Sequence, residues 1–353
     1  MSLEEEIIDI VDSEEQHGPT KKLRIDEPTS EQSEQKPLTQ EHIFQNLRLR
    51  RIVRENHSST IAQLALYFYR PGDLTALNTM DCDDQHSGHG LGGLSHYERR
   101  FDKRGAVLRD AGDNSNLLGT VGATQANIYD NENLGDHLDI MSHYQLPEDS
   151  AMPFHTCCWV HTPGDALLAM GGEDKLIHII SLGWSREIRV LRGHTGTVVD
   201  LQMHPTDHRL LASAGKDKTV RIWSVQTGEC LCRYETDATA IRFHPDGKSL
   251  LTGSSQGEIR QWPVPTQSLT DHNADTLVFQ SGDSTKCQPA KKYQGAAIDC
   301  IRLANGRVLS KNMAGRIEYW NLDTYEIIRA ITVRSHGLMA TRFDVSHDDS
   351  YLC

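Results

Sequence analysis

Five stretches of this chain repeat one design, and a repeat of that size restricts the fold more than any other feature of the sequence. Leu117–Asp130 (LLGTVGATQANIYD), Leu167–Ser181 (LLAMGGEDKLIHIIS), Leu210–Ser224 (LLASAGKDKTVRIWS), Leu250–Val264 (LLTGSSQGEIRQWPV) and Val308–Leu322 (VLSKNMAGRIEYWNL) share it. Each reads as an apolar strand, a Gly-rich turn and a second strand ending near an aromatic or aliphatic residue. In the third unit Val199, Leu201 and Met203 alternate with Asp200, Gln202 and His204, the spacing of a half-buried strand. Pro205–Asp207 and Gly215–Lys218 carry turn chemistry, so three antiparallel strands follow one another, and Cys230–Glu235 supplies a fourth. Ile180 and Trp223 stand 43 residues apart, Trp223 and Trp262 39. A unit this small cannot bury its faces alone, so neighbouring copies must pack side by side.

That spacing is near the period of about 40–45 residues of WD40 blades, and it predicts an all-β fold, a WD40 β-propeller. His194 precedes the first strand of its unit, Ser213 lies on the second, Asp217 in the tight turn and Trp223 on the third. Side chains so placed meet in one buried hydrogen-bonded chain, because burying any of them unpaired costs roughly 1–3 kcal/mol. Ser, His and Asp also invite a hydrolase reading, but Trp has no part in that chemistry and strand–turn–strand is the wrong setting. The four residues are expected to be a structural network of the blade. No catalytic residue, cofactor or metal site is expected.

Two spacings break the rhythm. An Asp-, Gly- and His-rich insertion, residues 73–116, separates the first strand, Ile61–Phe68, from Leu117, and a second, residues 265–294, follows Trp262. Both are expected to be surface loops. Residues 1–45 are expected to be a disordered acidic tail, since residues 1–40 hold eleven acids against four bases and few apolar side chains. The propeller is expected over residues 46–353. Ala340–Cys353 (ATRFDVSHDDSYLC) reads as the first strand of a sixth unit and the beginning of its second. About five blades and the start of a sixth are therefore expected, a C-terminally incomplete ring in which Leu47–Asn56 lacks a last blade to pair with.

Composition narrows the function classes. A net charge of −13 argues against broad binding to a phosphate backbone, so no direct nucleic-acid contact is expected. No signal-length apolar stretch opens the chain and no apolar run reaches about 18 residues, so no membrane partner is expected. The eight cysteines lack C-x-x-C spacing and read as core filler or free thiols, with Cys230 and Cys232 on one side of a strand. Lys21–Arg24 (KKLR) fits a short nuclear-import pattern. Gly253–Gly257 (GSSQG) fits the nucleophile elbow only in letters, because a strand follows it where an elbow needs a helix. Gly88–Gly93 (GHGLGG) lacks a surrounding βαβ unit, and Cys82, His86, His89 and His96 lack a familiar zinc spacing.

With the repeats in view, Phe154–Trp159 (FHTCCW), LRGHTGTVVDLQMHP, SAGKDKTVRIWSVQTG, Ile298–Lys311 (IDCIRLANGRVLSK) and the late TRF resemble the embryonic ectoderm development/extra sex combs family. Members of that family are the propeller subunit of Polycomb repressive complex 2, seven-bladed and non-catalytic. The resemblance implies a nuclear chromatin scaffold that holds a helix of the histone methyltransferase catalytic subunit on one face. It also implies a second face that reads trimethylated lysine of the histone H3 tail in an aromatic cage, where π faces attract a quaternary ammonium. The cage is not matched here: its positions fall on Ala62, His155, Met339 and Ala340, with Phe154 the one ring nearby. Scaffolding without histone reading is therefore the expectation. Two alternatives are the chromatin adaptor with leucine-rich repeats and a WD domain that associates with the origin recognition complex, and a generic adaptor such as a ubiquitin-ligase substrate receptor.

Overall fold

Alternating apolar residues fold the repeats into antiparallel sheets whose strands follow chain order. The computed structural model describes residues 59–68, 116–130, 139–147, 152–162, 165–265, 276–287, 296–332 and 342–345. All lie in the second of two units, Met1–Leu49 and Arg50–Cys353. The expected tail, the import pattern, the GHGLGG and Cys/His loops, Leu47–Asn56, Met339 and Ala340 fall outside the described residues.

The first sheet is β1 (Ile61–Phe68), β2 (Asn116–Gly122), β3 (Gln125–Asp130) and β4 (Asp139–Gln145); the second is β5 (Phe154–Thr162), β6 (Asp165–Gly172), β7 (Ile177–Ser181) and β8 (Arg186–Leu191). The third holds β9 (Val198–Met203), β10 (Leu210–Gly215), β11 (Thr219–Ser224) and β12 (Cys230–Glu235). The fourth begins with β13 (Ala240–Phe243), β14 (Ser249–Gly253) and β15 (Ile259–Pro263). Two short strands follow, β16 (Leu277–Phe279) and β17 (Thr285–Cys287), and the fifth sheet is β18 (Ile298–Ala304), β19 (Arg307–Asn312), β20 (Arg316–Asn321) and β21 (Ile327–Thr332).

The second insertion is thus not wholly a loop. β17 closes the fourth sheet against β15, with Cys287 fully buried, and β16 runs parallel to β12 as a fifth strand of the third sheet. Phe279 stacks on Tyr234 at 4.8 Å and Thr276 Oγ1 donates to the Cys230 carbonyl at 2.8 Å. Ring burial and backbone pairing outweigh the loop-like composition around them.

The core is divided among the interfaces between sheets. Leu117, Ile128, Phe154, Leu168 and Met170 join sheets one and two; Ile179, Leu201, Leu211 and Trp223 join two and three. Ala212, Tyr234, Ile241 and Trp262 join three and four; Leu251, Ile301, Val308 and Trp320 join four and five. Each inner blade is covered on both faces, so β10 is buried along its whole length and Asp200, expected on the wet side of a half-buried strand, is 3% exposed. In three blades the third-strand Trp donates its buried indole N–H to a hydroxyl ten residues earlier: Trp223 to Ser213 at 2.7 Å, Trp262 to Thr252 and Trp320 to Ser310 at 3.0 Å. In the second sheet Ile180 and Met170, both buried, occupy the same two places and need no such bond.

In four sheets the register slips by one residue between the first and second strands and again between the third and fourth. These are β-bulges, and each reverses the side-chain alternation. One of them overturns the expectation for Cys230 and Cys232: Ile222 faces Cys232 but Trp223 faces Cys230. Cys232 therefore packs between sheets three and four, Cys230 between two and three.

Candidate interaction site at the propeller axis

The first strands of successive sheets, β1, β5, β9, β13 and β18, lie next to one another in space, so their side chains converge on a common axis. The bulged residues of four of them are Ala62, His155, Val199 and Asp299, the same structural position in each blade. Ala62 is exposed and His155 half-buried, its Nε2 3.2 Å from Glu173 Oε1. Phe154 is 1% exposed and meets His178 edge-on at 5.7 Å, so its ring belongs to the core. Among the described residues, the predicted peptide-face positions bring no set of open aromatic faces together.

The predicted blade network is assembled. His194 Nδ1 lies 2.9 Å from Asp217 Oδ2 and Nε2 2.7 Å from Ser213 Oγ, which also accepts the Trp223 indole N–H. Burial raises the Asp217 carboxyl, but bonds from His194, the Thr195 N–H and Thr219 outweigh it and hold the group well below the usual carboxylate range. Ser213 is fully buried and its hydroxyl is already bonded on both sides, which leaves no nucleophile for a substrate to reach. The GSSQG turn is followed by β15, and the Ser255 hydroxyl donates to Asp237.

Sequence reasoning missed the ionic core of the axis. Arg342 Nη1 donates to Asp200 Oδ1 at 2.8 Å and Nη2 to the Val199 carbonyl at 3.1 Å, across 142 residues of chain. The other Asp200 oxygen accepts the Ile241 N–H at 2.9 Å, which ties β9 to β13. Burial lowers the Arg342 pKa, and the Asp200 carboxylate more than reverses this. Arg302 Nε donates to Asp344 at 3.0 Å, and Cys300 Sγ lies 3.6 Å from the Phe343 carbonyl. Lys311 Nζ reaches Asp299 Oδ2 at 2.5 Å, both side chains being 7% exposed; burial still raises the Asp299 carboxyl above its ordinary value. The only sequence signal was polar residues in the inward register of first strands, which alternation alone assigned to solvent.

Two further links lock neighbouring sheets. Trp159 donates its indole N–H to the Ala65 carbonyl at 2.9 Å and meets Tyr67 edge-on at 5.3 Å. His178 lies between Asp174 Oδ2 and Glu187 Oε2, each at 2.6 Å, and Tyr144 of the first sheet donates to the same Glu187. Two carboxylates on the two ring nitrogens call for an imidazolium; burial opposes that charge, and the pair of carboxylates raises the His178 pKa in spite of it. Burial also pushes the Cys157 and Cys232 thiols up to about 12 and raises Cys158, Cys230, Cys287 and Cys300, so these thiols stay protonated.

Sheets of four strands around a shared axis, with a Trp–hydroxyl pair in three of them, define a WD40 β-propeller protein. The WD domain, G-beta repeat model matches residues 185–224 and 228–263. The first match takes in β8 with β9, β10 and β11, one strand out of phase with the sheet. Polycomb protein esc of Drosophila virilis is 23% identical over 226 residues, covering 59% of this chain and 53% of that protein. Polycomb group protein FIE2 of Zea mays is 24% identical over 224 residues, covering 60% of this chain and 59% of that protein. The chain spans between about half and three fifths of the length of these relatives. A chain of the Chaetomium thermophilum Polycomb Repressive Complex 2 shares the fold, with a TM-score of 0.61 at 17% identity over 86% of this chain and 69% of that one. Within the WD40 class this chain is similar in sequence to the extra sex combs and FIE proteins.

Proposed function

We propose that this protein is a non-catalytic scaffold of a Polycomb-type histone methyltransferase complex in the nucleus, holding a helix of the catalytic subunit on one propeller face. The observation that carries the reading is the meeting of its family-like segments at the axis: IDCIRLANGRVLSK supplies Asp299, Cys300, Arg302 and Lys311, and TRF supplies Arg342 and Phe343. Those segments form one structural unit although Lys311 and Arg342 stand 31 positions apart. Affinity purification of the full-length protein tests the proposal. Recovery of a SET-domain methyltransferase supports it; recovery of origin-recognition or ubiquitin-ligase subunits instead refutes it.

The proposal excludes methyl-lysine reading. A quaternary ammonium has no proton to donate and needs π faces, whereas Ala62 offers a methyl group, His155 is engaged with Glu173, and the Phe154 ring is buried. Titration with a trimethylated histone H3 peptide and its unmethylated form is expected to show no methyl-dependent binding. Tight binding of the trimethylated peptide alone would overturn this part.

A further inference from the structure

Among the described residues, one arginine at the axis has no carboxylate within ion-pair distance. In register with the second strands, Cys158 pairs with Ala169, Gln202 with Ala212, Arg242 with Leu251 and Arg302 with Leu309, so these four first-strand residues stand at one level of the ring. Arg302 at this level has Asp344, and Arg342 has Asp200. Arg242 donates Nη1 to the neutral Gln202 amide at 3.0 Å, and its remaining guanidinium donors meet no acceptor among the described residues. Cys158, the next member of the level, is turned to its own strand, Sγ to the Trp159 carbonyl at 3.5 Å, and brings no charge. Lys311 and Asp299 neutralise each other. Among the described residues three arginines thus face two aspartates, and Arg242 is half-buried, sheltered from water yet not sealed from it.

We propose that Arg242, positioned by Gln202, is the anchor of an anion-binding site at the propeller axis that takes one carboxylate. The excess of one positive charge is the argument for a monoanion: a carboxylate brings the cluster to neutrality, whereas a phosphate dianion overshoots it beside Asp200 and Asp344. The planar fork of a guanidinium presents parallel N–H groups that match the two oxygens of a carboxylate. Burial and the repulsion from Arg302 work against the charge of Arg242 and outweigh the longer-range attraction of Asp344 and Asp200, so a bound anion adds the contact that these carboxylates do not make. The site binds an acid in the ring interior and is independent of any methyl-lysine mark.

Thermal unfolding of the full chain in sodium acetate, against sodium chloride and sodium phosphate at equal ionic strength, tests the site. Acetate at ten times its Kd is expected to raise Tm by about 2 °C over chloride, with phosphate no better than chloride. R242Q, which keeps an amide next to Gln202 and removes the repelled charge, is expected to lose the acetate increment while folding normally. R242K, with a charge but no fork, is expected to retain a reduced increment. An acetate effect that is equal to that of chloride, or that survives in R242Q, overturns the proposal. A phosphate effect larger than that of acetate refutes the charge argument and reassigns the ligand.

Discussion

The Ser213 hydroxyl allows a quantitative comparison inside one molecule. It serves two buried partners, the Trp223 indole N–H and His194 Nε2, each at 2.7 Å, whereas Ser310 at the same place two sheets on serves the Trp320 indole at 3.0 Å. Both serines are buried, Ser213 fully and Ser310 at 4% exposure. Removing a hydroxyl leaves each stranded group with a desolvation cost of about 1–3 kcal/mol. S310A strands one group. S213A strands two, so its cost is expected to be about double, roughly 2–6 kcal/mol. Urea unfolding followed by far-UV circular dichroism measures both as shifts in midpoint at unchanged slope. A second background sharpens the comparison: in W223F no indole N–H needs an acceptor, so S213A should then cost about half as much, the remainder belonging to His194. Equal costs for S213A and S310A, or an S213A cost unchanged in W223F, would refute the view that the four residues act as one network.

Three other perturbations follow from the same geometry. The raised pKa of His178 means that its contribution is complete below the unfolded value of about 6.5 and is lost as pH rises through the folded value, so H178Q should flatten the alkaline side of the pH–stability profile. R342L leaves the Asp200 side chain as a buried charge without its guanidinium, and is expected to cost about 3–5 kcal/mol in chemical denaturation. G247A is expected to lower the thermal midpoint clearly, because Gly247 sits at φ +70° and a Cβ there lies 2.3 Å from His204 Cε1, which disturbs the 2.9 Å contact between His204 Nε2 and the Gly247 carbonyl.

What the sequence displayed and what it concealed follow from the range of the interactions concerned. The Trp–hydroxyl pairs lie ten residues apart on adjacent strands, so a period and a short motif were enough to place Ser213 and Trp223, and His194 and Asp217 with them. The same locality explains why the five repeats could be counted at all, including the first, whose shorter turn pairs Leu118 with Tyr129 in place of a Trp. Alternation failed where a blade is covered on both faces: Asp200 looked solvent-facing, yet it is buried against Ile241 and Arg342. No local pattern marks an arginine 142 residues away as its partner.

The bulges are the deeper reason. A single extra residue in the first strand turns Ala62, His155, Val199 and Asp299 out of the period that their neighbours obey, and it does so at the same place in four sheets. Read by period, those residues are unremarkable members of four unrelated strands. Read by register, they are one ring of positions, and the differences among them decide what the axis can hold. Aromatic rings there would suit a quaternary ammonium; an alanine, a carboxylate-paired histidine, a valine and a lysine-paired aspartate do not. Further along the same strands, the position two residues beyond Asp200 and Cys300 carries Gln202 and Arg302, with Arg242 at the matching place between them. Specificity in this fold therefore resides in register-equivalent residues of different repeats, where the scaffold tolerates change because each is held by its own blade.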